Sequence, residues 1–555
     1  MKLTKSFTII IAVLAILVIP NFTQAQNSNG SHITSSNLKQ KIKGRETTFY
    51  RDFFDQVIYY PISKPLRWDR IAKKLFGKKE SLDINVFDEV PDSAFFTNRH
   101  GKKLMSIEEL KTGPEGAGPA MDGSWTVTKG KSEGVSAGFF IRDAKGNKFL
   151  LKLDPADSPE MATSSEIIGH KFFHAFGYNV PHYTLVYFKP DRLTLDPKAT
   201  YYNEEGFQKP LDREALQMLL KKSPVTKNGV FRASASTILK GSPKGFLTFE
   251  GREKNDPDDL ILHEDRREIR ALRVFASWLN HYDLRVGNSL DMVVEENGKT
   301  FVKHYMIDFG SLFGSAGSHV KYPAAVHENV IDWKAIGEAL MIFRVEDKTW
   351  EKRWDMNDRQ IQYPAIGYFD NLKFNPVAWR SQLPYEAFNR LTEADGYWAA
   401  KIIARFSDDM IRELVKTGEI SDSEAENYLM KILTERRDMV VRYWFSKVAP
   451  IENLKLEPQS GNAYSLSFQD LAIEHGFEKN GQIRYRFRLN KNPWQEFSGN
   501  SISFALDPSK PKFILSIQKQ NPQGSKWIKL PIRIHLERSN SGSHFQITAI
   551  ERGKP

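Results

Sequence analysis

His281-Tyr282-Asp283-Leu284-Arg285-Val286-Gly287-Asn288 and, twenty residues from Asn288 to Asp308, Met306-Ile307-Asp308-Phe309-Gly310 are the stretches that decide how this chain is read. Leu272, Phe275, Ala276 and Leu279, three and four residues apart behind an acidic start, predict a buried helix over 264–280 that delivers the first stretch. Between the two, apolar runs at 290–294 and 301–307 flank Glu296-Asn297-Gly298 and predict a hairpin. Taken singly, Asp283 can be a turn residue after a helix, and Asp308 can open a β-turn with Gly310. The chain contains no cysteine, so thiolate metal sites, disulfide scaffolds and cysteine nucleophiles are excluded. Any metal must then be held by His, Asp, Glu or Asn.

The two stretches together resemble the catalytic loop and metal-binding motif of the protein-kinase superfamily. His281, Asp283, Leu284 and Asn288 match H-x-D-L-x-x-x-N, and Asp308, Phe309 and Gly310 match D-F-G. The resemblance implies ATP and Mg²⁺ or Mn²⁺ as cofactors, with Asn288 and Asp308 as metal ligands. It implies that Asp283 orients or deprotonates an acceptor hydroxyl and that Arg285 stands near the transferred phosphoryl group. Upstream, Lys152 lies within Phe149-Leu150-Leu151-Lys152-Leu153, where a kinase carries the lysine that binds the α and β phosphates. The other reading of Lys152 is an edge-strand lysine pointing to water. Glu166 on the following helix is the expected partner of Lys152, with Glu160 as the alternative. Gly130, Gly134 and Gly138 could bring backbone N–H groups to phosphates, although their spacing departs from the family's G-x-G-x-x-G. Tyr282 replaces the usual arginine, and no A-P-E follows Gly310. The chain thus looks like an atypical member, similar in plan to the HipA-like, spore-coat CotH-like and lipid-kinase-like families.

Around this centre the pattern predicts strands at 124–129, 137–142, 148–153 and 182–188. A helix is expected over 160–176, begun by Ser158 and Pro159 and closed by Gly177. Residues 191–262 read as a long insertion, and 331–447 as mostly helical. Alternation of Ile483, Tyr485, Phe487 and Leu489 with Arg484, Arg486 and Arg488, and a similar pattern at 532–537, predicts strands with one buried face. With further strands at 464–468, 512–517, 526–530 and 545–550, the last hundred residues read as a β-sandwich. Fifteen basic and nine acidic residues give residues 451–555 most of the chain's net charge of +11. The arginine face could dock an acidic envelope component. No nucleic-acid partner is expected from so modest an excess.

Lys2 and Lys5 precede an apolar run from Phe7 to Ile19, and Thr23-Gln24-Ala25 fits a signal-peptidase site. That run is shorter than the roughly 20 residues a membrane span needs. The expected organisation is a signal peptide at 1–25, an extension at 26–120, a kinase-like domain at 121–449 (small lobe 121–190, large lobe 191–449) and a sandwich at 450–555. The fold class is α+β: a two-lobed kinase-like domain, with a small β-rich lobe and a helical lobe, followed by an all-β sandwich. The expected setting is extracytoplasmic, periplasmic or secreted, with no transmembrane segment after cleavage. The expected function is transfer of a phosphoryl group from ATP to a hydroxyl of a protein or small molecule. The alternative is a catalytically silent kinase fold serving as an envelope scaffold.

Overall fold

The computed structural model describes residues 42, 44 and 49–553, apart from 65–66, 69, 72–76, 132–136, 204–206, 323–324, 342–362, 480, 482, 522–525 and 540–543. The expected signal peptide and Gly134 lie outside the described residues. In the extension, helix α1 (Phe49–Phe54) runs into a π turn and one further helical turn ending at Ser63. Helix α2 (Ile107–Thr112) starts on a capping box in which Ser106 and Glu109 satisfy each other's backbone N–H groups.

Strands β1 (Trp125–Gly130), β2 (Gly138–Arg142) and β3 (Lys148–Leu153) form an antiparallel meander, followed by α3 (Met161–Phe176) and β4 (Tyr183–Phe188). Gly177 caps α3 with φ +126°, a backbone that glycine adopts without strain. The start of α3 differs from expectation. Its N-cap is Glu160 at φ +69°, and the side chain that satisfies the first turn is Asp154, which accepts from the Thr163 N–H at 2.8 Å and the Thr163 hydroxyl at 2.7 Å. A carboxylate with both oxygens in reach replaces Ser158 in that role.

The stretch read as an insertion completes the sheet. Strands β5 (Leu193–Tyr202) and β6 (Gln208–Pro210), helix α4 (Arg213–Lys221) and strand β7 (Phe231–Thr237) give seven strands in the order β4-β7-β3-β2-β1-β5-β6. The sheet therefore runs past the boundary expected at residue 190. Because β7 pairs with both β3 and β4, β3 is an interior strand. Ala215, Leu216 and Leu220 of α4 join Trp125, Val127, Phe139, Ile141 and Leu151 in one core. Helix α3 is buried almost all round, as a helix wedged between two layers must be. Its Ile167, Ile168, Phe172, Phe173 and Phe176 belong to the core of the helical lobe.

That lobe contains β8 (Ser242–Gly245), α5 (Arg267–Leu279) and the hairpin β9 (Ser289–Glu296) and β10 (Lys299–Met306). The hairpin turns on Asn297 (φ +52°) and Gly298 (φ +73°), the left-handed pair that a two-residue turn demands. Helices α6 (Trp333–Met341), α7 (Glu386–Arg390), α8 (Glu393–Ala404), α9 (Asp408–Lys416) and α10 (Ser423–Phe445) complete it. No helix among the described residues is long and apolar enough to cross a membrane.

The C-terminal strands are β11 (Ile451–Pro458), β12 (Ala463–Asp470), β13 (Tyr485–Leu489), β14 (Gln495–Phe497), β15 (Ser501–Ala505), β16 (Lys512–Lys519), β17 (Ile532–Arg538) and β18 (Phe545–Glu551). Sheets β11-β12-β15 and β14-β13-β16-β17-β18 share a core built from Leu466, Phe468, Ile502, Leu515, Ile517, Ile534 and Leu536. Residues 526–530 are not a strand. Trp527 and Leu530 make isolated bridges to Gln520 and Val448. The molecule is thus an α+β protein with a large mixed sheet, a helical layer and a separate pair of all-β sheets.

Candidate active site

Lys152 is central to the site. It pairs across the sheet with Gly138 on β2 and Ser234 on β7, and it is only 8% exposed, which rules out an edge lysine pointing to water. A buried ammonium must be compensated. Its Nζ lies 2.5 Å from Glu166 Oε1 on α3 and 2.8 Å from Asp308 Oδ1. Glu160 does not compete, because it lies 3.7 Å from Arg232 and accepts from the Ser421 N–H.

Glu166 uses its second oxygen to accept from the Phe309 N–H at 3.0 Å, so one carboxylate holds both the lysine and the 308–310 backbone. Asp308 sits at φ +63°, a left-handed conformation that aspartate tolerates better than most residues, and its N–H donates to the Tyr183 hydroxyl at 3.2 Å. Phe309 is fully buried, its ring 5.0 Å from Phe173 and 5.9 Å from Tyr183. A Cβ on Gly169 would lie 2.8 Å from the Phe309 Cβ, which is why α3 carries a glycine at that crossing.

Asn280 at φ +59° ends α5 and turns the chain into the loop. His281 packs edge-on against Phe173 at 5.7 Å, and burial drives its imidazole down to about 3, so it is a neutral packing group. Both oxygens of Asp283 are engaged: Oδ1 accepts from Arg285 Nε at 2.8 Å and Oδ2 from Asn288 Nδ2 at 3.0 Å. Asn288 also donates to the Asp283 carbonyl, and the Ile307 N–H donates to the Asn288 carbonyl at 3.0 Å, which places the two sequence stretches side by side. With its nitrogen turned to Asp283, the Asn288 amide keeps its oxygen for another partner.

Charge is distributed unevenly over these groups. Burial would raise the Asp308 carboxyl, but Lys152 and Lys131 outweigh it and hold the group well below the usual carboxylate range. Burial opposes charge on Lys152, yet Asp308 and Glu166 overcome it and push the ammonium upward. Burial raises Glu166, with Lys152 opposing. Asp283 is also raised by burial, against Arg285 and Asn288. At neutral pH the site therefore presents an ionised Asp308 beside a firmly protonated Lys152.

Two contributors were not singled out from the sequence. Lys131 follows Gly130, and burial together with the charge of Lys152 lowers its ammonium. Its adjacency to a glycine loop was the available signal. Tyr183 opens β4 and carried none. The glycines that were singled out have steric roles: a Cβ on Gly130 would meet Tyr201 Cβ at 2.6 Å, and one on Gly138 would meet the Leu151 carbonyl oxygen at 2.4 Å. Gly138→Ala is expected to pry β2 from β3 beside Lys152, at a cost of about 1–3 kcal/mol measurable by chemical denaturation.

Hard oxygen donors on Asp308 and Asn288 suit Mg²⁺ or Mn²⁺, and the Asp308 side chain is 36% exposed. Among the described residues no group of three or more His, Asp or Glu could hold a metal alone. His170, one turn along α3 from Glu166, contacts the Glu166 carbonyl through Nδ1 at 3.0 Å.

On the sandwich, the expected arginine face is largely occupied. Arg486 stacks between Trp494 and Trp527, 4.6 Å from each ring centre, and donates to Gln518 Oε1 at 2.8 and 2.6 Å. Arg488 stacks on the other side of the pattern at 4.6 Å from Trp494, and Arg484 lies 3.9 Å from Glu496.

No family model and no curated protein matches the sequence. Among solved structures, the chain is similar to the Golgi casein kinase at 7% identity and TM-score 0.28, covering 76% of this chain and 93% of that one. It is also similar to a Golgi casein kinase structure with Mn/ADP bound at 10% identity and TM-score 0.23, covering 75% and 93%. These are weak structural neighbours with an atypical kinase-like fold, and the reading of the site rests on its own geometry.

Proposed function

We propose that the protein is an exported phosphotransferase that moves the γ-phosphoryl group of ATP to a hydroxyl of an extracytoplasmic protein or small molecule. The observation that carries this reading is the bridge of Lys152 to Glu166 and Asp308, two carboxylates from a helix and a loop converging on one strand ammonium. A fold that needed only stability would be served as well by apolar residues there, since a buried ion pair is weak evidence for stability. A lysine locked by two carboxylates is poised for the α and β phosphates, with Lys131 as a second cation nearby. Asp308 and the Asn288 amide oxygen would hold the divalent ion. When bound, that ion neutralises phosphate charge and fixes the geometry of the β and γ oxygens. Asp283, held by Arg285 and Asn288, is placed to orient the acceptor hydroxyl and take its proton. Its burial-raised carboxyl suits a proton acceptor better than an exposed aspartate would. Export is proposed on the N-terminal Lys2, Lys5 and Phe7–Ile19 pattern, and the Trp-stacked arginine face is the proposed contact for an acidic envelope component.

The test is incubation with Mg²⁺ or Mn²⁺ and ATP labelled at the γ or the α position. Label uptake from γ, lost in Asp308→Ala, is expected. Asp283→Ala is expected to lower kcat about a hundredfold with little change in KM. Uptake from α would reassign the reaction to nucleotidyl transfer. Absence of uptake together with absence of ATP-dependent thermal stabilisation would leave the silent-scaffold reading.

A further inference from the structure

Behind the loop that carries His281 and Asp283 lies a cavity of about 50 Å³, whose lining includes Asn280, Lys321, Asp370, Lys373, Trp379 and Arg436. About 10–15 Å³ of such space holds one water, so the cavity, which is partly open to solvent, suits a few waters or one small ion. Lys321 is 3% exposed and Arg436 2%. The Lys321 ammonium donates to the carbonyls of Asn280 and Phe313, which leaves one of its three N–H groups without an acceptor among the described residues. Arg436 stacks on Phe374 at 3.8 Å and Phe369 at 4.7 Å. Its only hydrogen bond among the described residues is a 3.5 Å contact to Asn280 Oδ1, an oxygen already accepting from Trp379. Its Nε is buried with no partner.

Neither cation has a carboxylate within ion-pair distance among the described residues. Buried charge left in this condition is strongly unfavourable unless something compensates it. Water can complete the hydrogen bonds but not the charge. Three cations line the space against the single carboxylate of Asp370, with the exposed Lys373 adding to the positive field. Burial pushes the Lys321 ammonium well down, with the charge of Arg436 adding to the effect, and lowers Arg436 to about 9, so Lys321 holds its proton firmly only when an anion shares the space.

We propose that this cavity binds a small tetrahedral oxyanion of the size and charge of inorganic phosphate, and that the bound ion ties the chain after Gly310 to the loop carrying Asp283. The connection is direct. Lys321 reaches both Asn280, one residue before the loop, and Phe313, three residues after Gly310, while Asn280 Nδ2 donates to the Phe313 carbonyl at 2.7 Å. Ordering Lys321 and Arg436 around an anion therefore fastens two stretches that must stay in register. The proposal stands on the cavity alone and does not require phosphoryl transfer.

Thermal unfolding of the full chain, with sodium phosphate titrated against sodium chloride at matched ionic strength, tests it. A saturable upward shift of the midpoint specific to phosphate is expected. Arg436→Met is expected to abolish the shift. Should that variant fail to fold, Lys373→Glu on the exposed side is expected to fold and to raise the half-saturating phosphate concentration about tenfold. Lys152→Met is expected to retain the shift, which separates this cavity from any phosphate contact at Lys152. A shift no larger than that of chloride overturns the proposal, as does one lost in Lys152→Met and unchanged in Lys373→Glu.

Discussion

Lys152→Met is expected to reduce phosphoryl transfer by roughly 10³- to 10⁵-fold, the scale of removing a cation that stabilises phosphate charge. Methionine keeps the buried stem on β3, so the sheet remains packed and the loss is electrostatic. Without the ammonium, Glu166 and Asp308 face each other as uncompensated carboxylates. Burial already raises Glu166 and only Lys152 opposes it strongly, so Glu166 takes up a proton in the variant. Its second oxygen can still accept from the Phe309 N–H. Asp308 keeps Lys131 and Arg285 nearby and stays ionised.

The pH dependence of stability follows with a definite sign. A carboxyl whose folded pKa is raised favours the native state most below its unfolded value, near 4.3, and that advantage falls as pH rises toward the folded value. The Lys152→Met protein should therefore lose stability between about pH 4 and neutrality relative to the parent. Adding Glu166→Gln should flatten that slope. Retained transfer activity in a folded Lys152→Met protein would falsify the assigned role, because among the described residues Lys152 alone pairs with both carboxylates.

The parts of this site legible in the sequence are those specified by local chemistry. The Asn297-Gly298 turn fixes the hairpin register and Gly177 stops α3, while Lys152, Glu166, Asp283 and Asp308 were named through the resemblance of 281–288 and 306–310 to kinase motifs. Interior placement of β3 was not legible, because β7 arrives from about eighty residues downstream and nothing local marks Phe231–Thr237 as the partner of β3. The support of the 281–288 loop was hidden for the same reason. The Val286 N–H donates to the Tyr385 hydroxyl, which donates to Asp52 at 2.6 Å across 333 residues. Asp154 in place of Ser158 shows a further limit: a side chain outside the helix reached its first turn better than the residue next to it. Arg486 read as a solvent-facing charge because alternation reports which face a residue takes and not what stacks on it there.

Asp395→Ala is expected to cost about 3–5 kcal/mol, the usual penalty for stripping one partner from a buried ionic network. Asp395 is wholly buried, 3.1 Å from Arg267 and 3.2 Å from Arg270, both themselves wholly buried on α5. It also accepts from the Thr392 N–H to start α8 and from Ser81 in the extension. Arg267 continues to Asp88 at 2.7 Å, and Asp88 lies 3.3 Å from Arg552 beside the last strand of the sandwich, which lies 2.9 Å from Glu452 on β11. One chain of charges thus joins the extension, the helical lobe and the sandwich. Arginine cannot shed its proton, so removal of Asp395 leaves Arg270 leaning on Asp265 alone. The parent is expected to unfold in one transition by calorimetry, and the Asp395→Ala protein to show the sandwich and the helical lobe as two. Burial would raise the Asp395 carboxyl, but Arg267 and Arg270 hold it below its ordinary value. A depressed folded pKa contributes stability that is complete above the unfolded value near 3.9 and is lost as pH falls through the folded one. The parent should therefore lose that coupling in acid, and the Asp395→Ala protein should show little further loss over the same interval. A double-mutant cycle with Arg270→Met decides whether the loss is electrostatic: strong non-additivity is expected, and simple additivity would assign the cost to the α8 cap instead.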